Sequence, residues 1–390
     1  MQIITTTEDL ARFCSDCAKA PYVTVDTEFL RERTYYAQLC LVQLARPAGA
    51  GESDETTAAI IDPLAKGLSL DPLFELLRNR DVMKVFHAAR QDLEIFYTLM
   101  GEVPEPIFDT QVAAMVCGLG DQASYESLVR RVAREGMDKS ARFTDWSRRP
   151  LSEKQLSYAL ADVTHLRVIY EQLSAQLAES GRTGWVDEEM DILTSPATYD
   201  MDPEEAWRRV KTRTTAPKFL AIVRELAAWR ERQARERDVP RNRLLKDDAL
   251  LEIASNKPTN LEELGRSRLL QREGRKSDMS DGILKAVAAG IACPPEKRPS
   301  VPEPFVPKPG GQALGDLLRV LLKAKSEAAG VAPRLIASSA DLDRIASGED
   351  EGVPAMTGWR HEVFGRDAER LREGRIALSA SRGGVRLIEI

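Results

Sequence analysis

At 390 residues the chain is too long for one ordinary domain, and its 43% apolar and 30% charged content excludes a disordered or low-complexity protein. No apolar run approaches the ~20 residues of a membrane span, and the N-terminus lacks the basic-then-apolar pattern of a secretory leader, so a cytoplasmic protein with no membrane role is expected. The net charge of −6 argues against a general nucleic-acid binder, yet residues 211–293 carry 18 Lys and Arg against 12 Asp and Glu, which suits a polyanion-binding module joined to an acidic one.

Residues 2–5 read as a short strand leading into a helix, with Thr5 and Glu8 at capping-box spacing. Strands are predicted at 22–26, 39–45, 58–62, 82–86 and 107–108, with helical patterns at 73–78 and 92–99 and mostly helices beyond residue 109. This is an α/β pattern around one sheet, and a hairpin through 31–36 would make that sheet mixed. Residues 211–293 contain no strand candidate. Leu220, Val223, Leu226, Ala227 and Arg230 follow a helical period, and 244–253, 260–264 and 282–291 add helices, giving a small bundle. Seven prolines between 294 and 309 predict an extended linker. Beyond it, 313–329 and 359–373 read as helices, and 376–380 and 385–390 flank a turn at Ser381-Arg382-Gly383-Gly384 as a hairpin.

The five cysteines are scattered and point to a reducing compartment rather than a disulfide framework. Cys14 and Cys17 form a lone C-x-x-C whose members are helix neighbours, so packed thiols are expected there rather than zinc. With only three histidines, a His-rich metal site or a Ser-His-Asp triad is poorly supported.

Chemistry-bearing residues fall in three acidic clusters. Asp26 and Glu28, in V-T-V-D-T-E-F, lie two apart on a strand and so share a face. Asp92 falls just after a strand, at a helix start. Tyr158 and Asp162 are four apart on a helix and project together. Four carboxylates and a phenol are all oxygen donors, which suits Mg²⁺ or Mn²⁺ and not zinc.

This ordered set resembles the DEDD superfamily of 3′→5′ exonucleases, in the subclass whose last motif is Y-x-x-x-D. V-D-T-E-F-x-R-x-R-T-Y-Y-x-Q-L at 25–39, F-H-A-x-x-x-D-L-E at 86–94 and D-K-S-x-x-x-T-D-W-x-x-R-P-L-S at 138–152 are similar to the ribonuclease D family. A-W-R-x-x-x-A-R-E-R-D at 228–238 resembles the HRDC domain that follows in that family. The resemblance implies a ribonuclease H-like exonuclease domain over 1–200, an HRDC bundle over 211–293, a linker over 294–310 and a second, divergent HRDC-like domain over 311–390.

It further implies two divalent ions. Asp26, Glu28 and Asp162 would hold the first, and Asp26 would bridge to the second beside Asp92. A pair ~3.5–4 Å apart activates the attacking water and stabilises the leaving oxygen. Tyr158 would orient the water, since an ordinary tyrosine is a poor base at neutral pH. Thr27, Phe29 and His87 would contact the terminal nucleotides, with Phe29 and Leu30 wedged between bases, and Lys139 and Arg142 would contact phosphate. The run Arg230, Arg232, Arg235, Arg237, Arg241 and Arg243 would add phosphate contacts from the bundle. The implied substrate is RNA, with tRNA precursors trimmed to nucleoside 5′-monophosphates; no small-molecule cofactor and no obligate protein partner are expected. The competing readings are an exonuclease acting mainly on DNA and a non-catalytic RNA-binding protein on a nuclease fold. The complete acidic set argues against the latter.

Overall fold

The computed structural model describes residues 1–136, 144–267, 277–301 and 311–390; Lys139, Arg142 and the end of the proline-rich stretch lie outside the described residues. The chain opens with β1 (Gln2–Ile4) and α1 (Thr7–Cys17), followed by β2 (Tyr22–Leu30), β3 (Gln38–Ala45) and β4 (Ala58–Ile61). Next come α2 (Asp71–Arg78), β5 (Met83–Phe86), α3 (Arg90–Met100), β6 (Ile107–Asp109) and α4 (Thr110–Val116), then the long α5 (Glu153–Glu179) and α6 (Thr183–Thr194). The six strands form one sheet in the order β1-β4-β3-β2-β5-β6. It is mixed: β2 pairs antiparallel with β3 through the hairpin and parallel with β5.

Two expectations need correcting here. β2 runs to Leu30 rather than ending at 26, because the ladder with β3 continues to the pair Leu30–Gln38. Asp26 and Glu28 are therefore inside a strand, not at its end. The cap of α1 is Thr6, whose hydroxyl accepts the Asp9 N–H at 3.2 Å, one residue later than the Thr5 spacing suggested.

Alternation along β2 separates its two jobs. Val23 and Val25 enter the main core with Val85, Phe86 and Phe96. Thr24 faces α5 and donates its hydroxyl to the Val163 carbonyl at 2.8 Å, so Asp26 and Glu28 face the same way.

The bundle consists chiefly of α7 (Pro217–Glu236), α8 (Asp247–Asn256) and α9 (Ser277–Ala292) around a second core that includes Leu220, Val223, Leu226, Leu250, Ile253 and Ile283. The helix expected at 244–253 is broken, because Leu245 is extended (φ −156°, ψ 116°) between a short turn and α8. A third core, with Leu318, Leu321, Ile345 and Phe364, lies under α10 (Gly311–Ala329) and the hairpin of β7 (Ile376–Ser381) and β8 (Gly384–Glu389). Among the described residues no helix is long and apolar enough to cross a membrane.

Candidate active site

Asp26 and Glu28 project from β2 and Asp162 from α5, so that one carboxylate oxygen of each lies within 4.8 Å of the others. A β-bulge falls beside them. Glu28 pairs with Leu41 and Phe29 with Leu39, leaving Cys40 unpaired, and such bulges re-aim the neighbouring side chains. Burial, then the charges of Asp162 and Asp92, push the Asp26 carboxyl well above its ordinary range. Burial, with Asp26 and Asp92 nearby, pushes Glu28 up to about 9, and burial with the Glu28 charge raises Asp162. Three carboxylates that suppress one another's ionisation have the opposite preference beside a divalent cation. The Oδ1 atom of Asp162 is buried without a hydrogen-bond partner. An all-oxygen donor set with an orphaned acceptor fits Mg²⁺ or Mn²⁺.

Asp92 sits apart from this trio, buried in the first turn of α3. It accepts both the hydroxyl and the backbone N–H of Thr27. Burial nevertheless raises its pKa to about 7. Thr27 therefore spends its hydroxyl on Asp92, although it lines the same cleft.

Tyr158 hydrogen-bonds the Asp162 carboxylate one turn along α5, its ring stacked on buried Trp146 at 6.3 Å between centroids. A cavity of about 220 Å³ opens over these groups, lined also by His87 and Tyr125. The His87 Nδ1 lies 3.0 Å from the Thr110 hydroxyl, and burial holds the imidazole below its ordinary pKa despite the Asp109 charge and a bond to the Ala123 backbone. Its polar atoms are engaged, leaving the ring as cavity wall. Phe29 is half-buried and packs against the main core.

Three residues escaped the sequence reading. The Tyr125 hydroxyl donates to the Asp162 carbonyl at 2.6 Å and to the Ala161 carbonyl at 3.2 Å, clamping α5 where Asp162 leaves it. Asp109 fastens the turn before α3. Gln43 is buried beside Asp26 on β3. Only Asp109 left a signal, as an Asp-Thr step at a helix start.

The basic run in the bundle is largely consumed internally. Arg230 pairs with Asp247, Arg232 with Glu204, Arg237 with Asp278, and Arg235 and Arg241 with Glu231. Arg243 has no ion pair among the described residues.

A mixed sheet carrying carboxylates from a central strand and a facing helix over one small cleft has the make-up of a metal-dependent hydrolase, and the family comparison defines the class as 3′→5′ exonuclease. The profile of a 3′-5′ exonuclease family matches residues 1–178, and that of the HRDC domain matches residues 219–287. The chain is 59% identical to ribonuclease D of Jannaschia sp. (strain CCS1), over 99% of both chains. It is 50% identical to that of Nitrobacter hamburgensis, over the full length of both. The crystal structure of Escherichia coli RNase D, described as an exoribonuclease involved in structured RNA processing, superposes with a TM-score of 0.80 at 31% identity, over 96% of this chain and 98% of that one. The chain belongs to the ribonuclease D family and is a 3′→5′ exoribonuclease.

Proposed function

We propose that this enzyme trims the 3′ ends of structured RNAs, tRNA precursors among them, releasing nucleoside 5′-monophosphates at two Mg²⁺ or Mn²⁺ ions. The observation that carries the reading is the convergence of Asp26, Glu28 and Asp162 on one point. These three would hold one ion, and Asp26 with Asp92 the other. When bound, the ions supply the positive charge that activates water and stabilises the departing 3′ oxygen.

The protein's own groups do the rest. Tyr158, fixed between Trp146 and Asp162, offers its phenolic oxygen to orient the attacking water. Its neighbour Tyr125 is driven far above the ordinary tyrosine pKa by burial, then by the charges of Asp162 and Asp26. It stays protonated and holds the α5 backbone. The His87 ring and Tyr125, 5.3 Å apart, supply an aromatic wall for the terminal base. The division into a catalytic domain over 1–200, an HRDC domain over 211–293 and a divergent HRDC-like domain over 311–390 is supported by three separate cores. A reducing, cytoplasmic setting is supported by five cysteines that are all unpaired.

The test is Asp26→Asn in the full chain, assayed on an RNA with a folded body and a short 3′ tail. Trimming by the variant is expected to vanish in Mg²⁺ and in Mn²⁺, as is expected of the wild type in chelator, while the circular dichroism spectrum and RNA retention persist. Near-normal turnover by the variant overturns the site, and preference for a matched DNA strand overturns the substrate.

A further inference from the structure

Directly across the β2–β3 ladder from Asp26 stands Gln43. Cross-strand partners present their side chains on the same sheet face, with Cβ atoms ~4.5–5.5 Å apart. That face lies under α5, and on the β3 and β4 side of Gln43 it is apolar: Ala45 and Ala58 pack on Val163, and Leu41 and Ile60 pack with Leu156 and Ala159. Gln43 is 0% exposed, and neither its Oε1 nor its Nε2 has a hydrogen-bond partner. A buried amide left unpaired costs roughly 1–3 kcal/mol, a cost that an apolar side chain of the same length would avoid.

The neighbouring polar groups are already committed. The Thr24 hydroxyl is engaged with the Val163 and Ala45 carbonyls, Tyr125 with α5 carbonyls, and Tyr158 with Asp162. Gln43 keeps its donor capacity unspent beside Asp26, the carboxylate that both ions would share. A carboxylate that holds metal ions keeps lone pairs the ions do not use, and a donor on one of them fixes its rotamer; outer partners of this kind typically contribute 10–100-fold to metal affinity.

We propose that Gln43 is a positioning residue of the metal centre, its Nε2–H turning to donate to a lone pair of the Asp26 carboxylate that the ions leave free once they are bound. The proposal rests on the metal-site reading above. It gives the orphaned amide a partner and explains why a polar residue interrupts an apolar row.

The experiment compares Gln43→Met with the wild type, both full length. Thermal melts in chelator report the metal-free fold, and calorimetric titration with Mn²⁺ reports affinity. The variant is expected to melt in chelator at or above the wild-type temperature, since it removes an unpaired buried amide without leaving a cavity. It should bind Mn²⁺ 10–100-fold more weakly. Unchanged Mn²⁺ affinity overturns the proposal. So does a lower melting temperature in chelator, which would assign Gln43 a structural partner instead. A wild type that binds no Mn²⁺ in the same titration would fail the metal-site reading itself.

Discussion

Asp109 shows how one carboxylate places another. Its Oδ1 accepts the N–H groups of Ala88 (2.9 Å) and Gln111 (2.8 Å), and its Oδ2 accepts that of Ala89 (2.9 Å). Ala88 occupies the left-handed region at φ 58°, which a residue with a Cβ adopts only when its surroundings hold it there. The turn thus fastened runs from His87 to the start of α3 and sets where Asp92 stands. Asp109→Ala leaves the buried Ala89 N–H and the part-buried N–H groups of Ala88 and Gln111 without their acceptor and is expected to destabilise the protein by roughly 1–3 kcal/mol. Urea titration measures this, and Asp109→Asn, which keeps one acceptor oxygen, should lose less. A loss within about 0.5 kcal/mol, the usual surface value, would remove the anchoring role. This also marks what the sequence could reveal. Asp26 with Glu28 and Tyr158 with Asp162 are legible because strand and helix periods put each pair on one face. Asp109, Tyr125 and Gln43 act on residues 17 to 37 positions away, or across a ladder, and no local spacing carries that information.

At the scale of elements, the hairpin loop after β2 is the socket for the bundle. Tyr35 inserts between Glu231, which accepts its hydroxyl, and the guanidinium of Arg241, 5.0 Å from the ring centroid. The backbone N–H groups of Tyr35 and Tyr36 both donate to Asp238 Oδ1 at 3.0 Å. The surplus of arginines in residues 211–293 is real, but much of it serves this docking and the bundle's own ion pairs. Composition could count those arginines and could not see acidic partners brought in by folding. Glu231 makes the joint pH-dependent. Burial alone would raise its pKa, but hydrogen bonds from Arg241 and Tyr35 outweigh it and hold the carboxyl below its ordinary value. A group depressed in the folded state contributes its stability above its unfolded pKa, about 4.3, and loses it as pH falls through the folded value. Proteolysis between residues 194 and 217 should therefore be slow at pH 7 and faster only once the pH has fallen through the depressed folded value, well below the unfolded pKa of about 4.3. Glu231→Gln should be cut readily above and below that value. Equal rates for variant and wild type at pH 7 would dissociate Glu231 from the docking.

Over the whole molecule, the chain closes on itself. After the bundle, the C-terminal unit returns to the catalytic sheet domain and stacks Trp359 on Trp185 of α6, with centroids 4.4 Å apart and planes 9° from parallel. Arg360 donates to Glu188 at 2.9 Å and also to Glu189, and Arg182 reaches the Ala329 carbonyl at 2.6 Å. A Cβ on Gly118 would lie 2.5 Å from the Gly330 carbonyl oxygen, so the two backbones meet where only glycine fits. The catalytic domain is thus gripped from two sides, by the bundle at the loop after β2 and by the C-terminal unit at α6, while a cleft of about 1240 Å³ stays open between catalytic domain and bundle. Neither grip contributes a ligand to the acidic site, so both act on the reach and rigidity of the frame. An aromatic stack adds about 0.5–1.5 kcal/mol beyond its buried area, and each charge-assisted hydrogen bond about 1.5–3 kcal/mol. Combining Trp185→Ala with Arg360→Ala should weaken the C-terminal grip by roughly 3 kcal/mol, more than a hundredfold in the closed-to-open ratio. Small-angle scattering should then show a larger radius of gyration. Trimming of a short single strand should continue at the wild-type rate, because the sheet, α5 and their carboxylates are untouched, while trimming beside a folded RNA body should slow. An unchanged radius would show that the grip does not depend on these two side chains. Equal slowing on both substrates would show that the frame acts on the acidic site after all.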